Sequence, residues 1–310
     1  MAAARLKVKE RIDWLHETNW MTMFGYAYLT FICGRLLYHA LPDALAPYLD
    51  RPLLLLPVLL LVAKDLAGAP DFARRMRQVA RPGTAWSTRL GATLPPEFLA
   101  LLKLDRAMWR AFAGWLRRVA PPARPSGTVL TYTRQGAYST VLAIAILSVL
   151  VELPLDAMIA SFLLNDPDIR TVLHVMSAVS AVYTLAWVAS DRWLVRAAGG
   201  HVLTADTLDL SVGVRAFGTI PLVAIEGCER LDLPRAKWCE ERGIALRDTA
   251  VVSPFDAPNC VLRLNRAQPV TITYYQLEKR APLYVFLYLD QPEQLASLLA
   301  ARGACPGERA

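Results

Sequence analysis

Cysteine and histidine are scarce in this sequence, and neither is grouped for metal binding. None of the five cysteines belongs to a CxxC motif, and the four histidines fall in different segments. Zinc sites need such groups, so no metal site is predicted. The odd cysteine count fits free thiols in a reducing compartment, although a Cys228–Cys239 disulfide stays open if that side is oxidising. The residues concerned are Cys33, Cys228, Cys239, Cys260, Cys305, His16, His39, His174 and His201.

Familiar catalytic motifs are also missing. The chain contains no GxSxG, no P-loop, no HExxH and no GxGxxG, which removes the common sequence signatures of hydrolases, metalloproteases and nucleotide-binding enzymes. Two acidic pairs, Asp206 with Asp209 and Glu240 with Glu241, are explained more simply as exposed carboxylates of turns and loops. We therefore predict a non-enzymatic protein with no catalytic, cofactor-binding or metal-binding residue. An enzyme that modifies a lipid or envelope precursor is an alternative without a supporting motif.

Charged residues are few, since they make up 20% of a chain that is 55% apolar. The apolar residues form runs about as long as the ~20 residues with which a helix crosses a bilayer. These runs predict about four transmembrane helices in two hairpins, at residues 20–63 and 137–190. Pro57 interrupts the short apolar block within 44–63, so a re-entrant or interfacial segment stays open for that part.

The basic residues are unevenly distributed along the chain. Residues 64–136 hold thirteen Lys or Arg against four Asp or Glu, whereas residues 137–190 hold one against four. Basic segments stay on the cytoplasmic side of a membrane. We therefore predict a cytoplasmic lead at 1–19, a basic cytoplasmic loop at 64–136 and a cytoplasmic C-terminal region. This pattern indicates membrane topology and not nucleic-acid binding.

A helix predicted at 96–119 has two distinct faces. Apolar residues recur at helical spacing, and a row of basic residues falls on another face. Such a helix is expected to lie at the headgroup level of an anionic inner leaflet. The alternative is that its apolar face packs on the C-terminal domain or on a second subunit. The predicted membrane-surface residues are Lys103, Arg106, Arg110, Arg117, Trp109 and Trp115.

Two acidic residues interrupt the third apolar run, on either side of Pro154. Carboxylates inside a membrane are costly, and Glu152 and Asp156 could therefore belong to an ion or proton path with His174 as partner. The competing interpretation is that Pro154 breaks the helix near the outer surface. Both acids would then lie in the interface or pair with Arg170.

After Arg192 the pattern changes to short alternating strands separated by turn residues. About seven strands and one terminal helix describe an α+β module, a small β-barrel or sandwich closed by the helix. Asp290 and Glu293 have the spacing of a capping box for that helix. The module is expected at 195–303, followed by a tail at 304–310. The later predicted strands are 220–225, 244–247, 260–264, 270–275 and 283–289.

This module resembles a bacterial pleckstrin-homology-like domain fused to membrane helices. The resemblance is carried by His201–Leu208, Gly218–Glu226, Pro258–Leu264 and Leu289–Leu295. It implies a scaffold that binds partners. Phosphoinositide recognition is not implied, because the segment from Arg196 to His201 contains no cluster of Lys or Arg.

These observations predict a multi-pass protein of a bacterial inner membrane that presents the module for protein–protein association or self-association, as an adaptor or scaffold. The expected partners are the anionic inner leaflet and a protein or a second copy, with no nucleic acid, cofactor or small-molecule substrate. A small transporter or channel component that uses the intramembrane acids is the alternative function.

Overall fold

Long helices dominate the first half of the chain in the computed structural model. It describes residues 14–15, 18, 20–40, 46–79, 91, 93–121, 123–163, 166–253 and 255–303. Residues 1–99 and 100–310 form two compact units. Most of the predicted lead, and the whole tail at 304–310 with Cys305, lie outside the described residues.

The first unit contains a pair of packed helices, α1 (Trp20–Ala40) and α2 (Ala46–Val79). Gly34 lies at their contact, because a Cβ there would be 3.5 Å from the carbonyl oxygen of Leu53. α2 is longer than the predicted apolar block. It continues past Lys64, whose Nζ donates to the carbonyl of Leu15 at 2.7 Å. The beginning of the predicted basic loop is therefore helical.

Three of the described helices are long and apolar enough to span a membrane, which indicates a multi-pass membrane protein. They are α2, α4 (Tyr138–Leu163) and α5 (Pro167–Ala198). The fourth predicted span, α1, is a helix of 21 residues but does not reach that apolarity. Its sequence explains the difference, because tyrosine, threonine and glycine replace aliphatic residues at many positions.

The second unit begins with α3 (Pro96–Leu116), most of which belongs to it, and contains the hairpin of α4 and α5. This hairpin is inserted between two neighbouring strands of one sheet. β1 (Thr128–Leu130) precedes α4, and β2 (His201–Leu203) follows α5. The two strands pair antiparallel, with Leu130 opposite His201. Gly200 permits this approach, since a Cβ there would collide with the Leu130 carbonyl.

Two open sheets make up the rest of the second unit. The larger has the order β1-β2-β3-β4-β8-β9 and is antiparallel throughout; the smaller has the order β5-β7-β10-β6, in which β10 and β6 are parallel. The remaining strands are β3 (Thr207–Val212), β4 (Ala216–Pro221), β5 (Ile225–Arg230), β6 (Thr249–Val252), β7 (Cys260–Leu264), β8 (Thr271–Tyr274), β9 (Leu277–Arg280) and β10 (Tyr284–Leu287).

One hydrophobic core joins both sheets to the last helix, α7 (Pro292–Ala301). Leu208 and Ile220 come from the larger sheet, Leu262 and Leu287 from the smaller one, and Leu295 from α7. Strand alternation and helical spacing thus bury one face of each element. The sequence correctly predicted an α+β region that ends in a helix.

Several details of this region differ from the prediction. The strands at 260–264, 270–275 and 283–289 are confirmed with minor changes of length. The predicted strand at 220–225 is divided by a 3-10 turn, Leu222–Ala224. The predicted strand at 244–247 is wrong. Ile244 and Ala245 lie in the loop after α6 (Arg235–Glu241), and Leu246 and Arg247 belong to a 3-10 turn, Leu246–Asp248.

The predicted capping box is also wrong. Gln291, and not Asp290, occupies the residue before α7, and its side chain makes no capping hydrogen bond. The Asp290 carboxylate instead accepts hydrogen bonds from the backbone N–H groups of Arg134 and Gln135, at 3.1 and 2.9 Å. Glu293 pairs with Arg230 at the surface. Asp290 therefore stabilises a distant loop, although its spacing from Glu293 had predicted that it caps α7.

Candidate functional site

One face of α3 packs against the C-terminal half of α5. The buried positions Leu104, Met108 and Ala111 recur at helical spacing. Asp105, the one polar residue on this side, accepts a hydrogen bond from the Tyr183 hydroxyl at 2.9 Å. Farther along, Gly114 lies under the Trp193 ring, where a Cβ would be 3.0 Å from the nearest ring carbon. α3 is therefore docked on the membrane hairpin.

A second apolar stripe of α3 stays exposed. Successive residues of a helix are about 100° apart around its axis. The stripe therefore lies roughly a third of a turn from the buried face. The row of basic residues lies about another third of a turn beyond the stripe. Trp109 and Trp115 are 41% and 43% exposed, and the basic side chains are exposed as well. Among the described residues, none of the four basic side chains in the row forms an ion pair with a carboxylate. The stripe comprises Leu101, Leu102, Trp109, Trp115 and Leu116, and the row comprises Lys103, Arg106, Arg110 and Arg117.

The two interpretations of this helix are thus both represented in its geometry. One apolar face contacts protein, although the contact is with α5 and not with the sheets. A separate exposed apolar stripe lies beside the basic row, and its location at a membrane surface stays a prediction. Sequence periodicity alone could not separate the two faces, because both are apolar.

Glu152 and Asp156 lie in one polar groove of the hairpin, which we call the acidic groove. Pro154 lies inside α4 without ending it, so the interpretation that it breaks the helix is wrong. The groove has a volume of about 290 Å³. Its polar residues are Ser148, Glu152, Asp156, Ser177, Ser180 and Thr184.

Hydroxyl groups from α5 face the two acids across this groove. The Ser177 hydroxyl donates to Asp156 Oδ2 at 2.6 Å. His174 is exposed and does not line the groove. Within the described part of the chain, neither acid forms an ion pair with Arg170. The structure therefore brings Glu152 and Asp156 together with serine and threonine, but leaves out both partners that the sequence had suggested.

A buried ion pair connects the hairpin to the larger sheet. Arg215, in the turn between β3 and β4, donates from Nε and Nη2 to the two carboxylate oxygens of Asp191 on α5, at 3.1 and 2.9 Å. The Tyr138 hydroxyl, from the start of α4, donates to the same carboxylate at 2.9 Å. The Arg215 guanidinium also lies 4.2 Å from the centre of the Phe255 ring. Both charges are fully buried.

Sequence reasoning missed this pair. Asp191 directly follows the predicted hairpin at 137–190, and an ionisable residue at that place is a reason to search for a partner. Nothing in the sequence around Arg215 distinguishes it from the other arginines of the module. A bidentate contact between two buried charges fixes both distance and orientation, so α4, α5 and the sheet are joined at one point.

A buried histidine lies next to this junction. His201 accepts a hydrogen bond from the Ser211 N–H at its Nδ1, and its ring lies 4.8 Å from that of Tyr132. Burial, with a smaller contribution from Arg124, lowers the pKa of His201 to about 3. Burial also raises the pKa of Tyr132 above its ordinary value. Both side chains are therefore neutral near pH 7.

Cys33, Cys228 and Cys239 are free thiols. Cys228 and Cys239 are not joined, and the sulfur nearest to Cys228 is that of Cys260, at 3.5 Å. The described residues contain no group of three or more side chains that could hold a metal ion.

Comparison with known proteins adds no relative to this description. No family profile, curated protein or solved structure matches the chain.

Proposed function

We propose that this protein is a non-enzymatic scaffold of the inner membrane. It crosses the bilayer four times, because α1 spans the membrane in addition to α2, α4 and α5. Its N-terminus, the basic segment and the α+β module lie on the cytoplasmic side. The module serves protein–protein association or self-association at the membrane. The excess of basic residues between the hairpins supports this topology.

The way in which the hairpin joins the module supports a scaffolding role. The hairpin enters and leaves through adjacent strands, β1 and β2, and the Asp191–Arg215 pair closes the same junction. Two connections and a buried ion pair restrict rotation of the module about the helices. A module held in this way is presented in one orientation, as an assembly platform requires.

The pleckstrin-homology-like character of the module belongs to the same proposal. Two sheets with a terminal helix in their shared core support it. The parallel pair of β10 with β6 and the open sheet edges depart from a closed barrel. We therefore take from the resemblance a partner-binding role and no ligand.

The acidic groove is the observation that most directly supports association with another protein chain. Hydrocarbon cannot solvate the carboxylates of Glu152 and Asp156 or the hydroxyls beside them. Serine, alanine and threonine at positions 177, 180, 181 and 184 of α5 leave room for another helix, and such residues recur at helix contacts in membranes. A further transmembrane helix that supplies hydrogen-bond partners would cover the groove.

Site-specific photo-cross-linking in membranes tests this proposal. A p-benzoylphenylalanine at Met176, which lines the groove, should form a cross-linked product that contains a second polypeptide. The matched control is the same substitution at the neighbouring Val175, which is 56% exposed and does not line the groove. Equal yields from the two positions, or no product from either, would end the proposal that another chain covers the groove.

A second function is favoured by the same carboxylates. Two acids and four hydroxyl-bearing residues around a cavity of about 290 Å³ could bind a proton or a cation in transit. In proteoliposomes with a pH or cation gradient, the wild-type protein would then support a flux that the Glu152→Gln/Asp156→Asn variant lacks. Absence of wild-type flux under every gradient would exclude transport.

A further inference from the structure

A second groove of the hairpin lies where α3, α4 and α5 meet. Trp115 of α3 forms one wall, Ile146 of α4 another, and Leu185, Arg192, Trp193 and Arg196 of α5 form the base. We call it the arginine groove. Its volume is about 670 Å³, and none of the described residues that line it is acidic.

The arginine groove changes from apolar to cationic along its length. Leu185 and Arg196 are eleven positions apart on α5, which corresponds to about 16 Å along a helix. Leu185 and Ile146 lie toward the middle of the membrane segment. Arg192 and Arg196 are one turn apart at the other end, near the start of the module, and both are exposed.

The guanidinium groups of Arg192 and Arg196 are not neutralised by any residue in the described part of the chain. Among the described residues, neither Arg192 nor Arg196 pairs with a carboxylate. Asp191, the nearest acid in the sequence, is fully buried on another face of α5 and already bound by Arg215. Two adjacent arginines with free donors match the geometry of a phosphate group.

We propose that the arginine groove binds one anionic phospholipid of the inner leaflet. The headgroup phosphate lies between Arg192 and Arg196, and one acyl chain follows Leu185 and Ile146. Trp115 and Trp193 lie at the level where tryptophan favours the membrane interface. Basic pockets between membrane helices on the cytoplasmic side are suited to anionic headgroups.

The charge pattern of the groove favours a lipid over a protein helix. Two arginines at one end suit a phosphate headgroup, and the apolar residues toward the other end suit an acyl chain. A phospholipid of the surrounding leaflet carries both groups in one molecule. The groove is also separate from the acidic groove in its lining, so the lipid proposal can fail while the association proposal stands, and the reverse.

Lipid binding to the full-length protein in phosphatidylcholine nanodiscs tests the inference. Phosphatidylglycerol is titrated into the discs, and bound lipid is counted by native mass spectrometry. The wild type should retain one phosphatidylglycerol per chain in a saturable manner. The Arg192→Gln/Arg196→Gln variant should bind it about tenfold more weakly or worse.

The matched control removes two positive charges from another helix at the membrane interface. Arg106→Gln/Arg110→Gln takes two cations from the basic row of α3 and should leave the saturable lipid in place. Leu185→Trp fills the apolar end while both arginines remain, and should also displace the lipid; it keeps the test decisive if the arginine variant does not fold. An unchanged affinity in both groove variants, or an equal loss in the control, would overturn the proposal.

Free phosphate is the competing anion. Inorganic phosphate at millimolar concentration should not displace phosphatidylglycerol, because the acyl chain contributes to binding. Displacement by phosphate alone would show a simple anion site, and the assignment to a lipid would be wrong.

Discussion

Arg215 Nη2 lies 2.9 Å from Asp191 Oδ2 in a site that water does not reach. The two residues belong to different parts of the protein, because Asp191 is on the membrane hairpin and Arg215 is in a turn of the sheet. Tyr138 adds a hydrogen bond from α4, the other helix of the hairpin. This three-residue junction is the feature on which a fixed orientation of the module depends.

Removal of one partner should destabilise the protein strongly. Arg215→Met leaves the Asp191 carboxylate buried without its cation, and we expect the free energy of unfolding to fall by about 3–5 kcal/mol. Asp191→Leu/Arg215→Met, which removes both charges, should recover most of that loss. Denaturant unfolding in detergent, followed by tryptophan fluorescence, measures both values.

The surface pair Arg263–Glu226, whose side chains are about half exposed, supplies the control. Arg263→Gln should change the free energy of unfolding by no more than about 1 kcal/mol. A loss for Arg215→Met as small as that of the control would mean that the junction is not a principal connection.

His201 should make stability depend on pH. Its pKa is about 3 in the folded protein and about 6.5 in an unfolded chain. Between these values the unfolded chain binds a proton that the folded protein does not, so stability falls as pH falls below about 6.5. The expected slope approaches about 1.4 kcal/mol per pH unit near pH 5. Unfolding measured from pH 7.5 to 4.5 gives this slope.

His201→Gln removes the titrating group and should flatten this slope, whatever it does to stability at pH 7. His174→Gln is the matched change at an exposed histidine and should keep the slope. If the slope survives in the His201 variant, other groups are responsible and the buried histidine is not the source.

Asp290 and Glu293 should contribute differently to the free energy of unfolding. Asp290→Ala removes the acceptor of two backbone N–H groups in the loop before the hairpin, and we expect a loss of about 1–3 kcal/mol. Glu293→Ala removes only an exposed ion pair and should cost less than about 1 kcal/mol. Thermal unfolding of the two variants checks this order, and similar small losses would instead favour the capping box.

Local patterns in the sequence predicted the elements whose formation depends on local composition. The apolar runs predicted α4 and α5, helical spacing predicted α3, and the apolar segment at 283–289 predicted the buried strand β10. Each of these elements is recognisable from its own residues, because burial of one face or of the whole element sets its composition.

What the sequence could not predict depends on contacts between distant residues. β1 is three residues long in a segment rich in proline, and it forms because His201–Leu203 returns beside it after the hairpin. The Asp290 carboxylate accepts a backbone hydrogen bond from a loop about 155 positions earlier in the chain. Arg215 and Asp191 likewise meet only after the sheet has formed. The module therefore begins before the hairpin, and local periodicity carries no signal of it.

Membrane topology is the most direct test of the account. Asp168, in the first turn of α5, and Arg266, on the module, are exposed. Each is suited to a single cysteine for labelling in a background in which the five native cysteines are replaced by serine or alanine. A membrane-impermeant maleimide applied to intact cells should label Asp168→Cys and should reach Arg266→Cys only after the membrane is permeabilised. Labelling of Arg266→Cys in intact cells, with Asp168→Cys protected, would contradict a cytoplasmic module on a transmembrane hairpin.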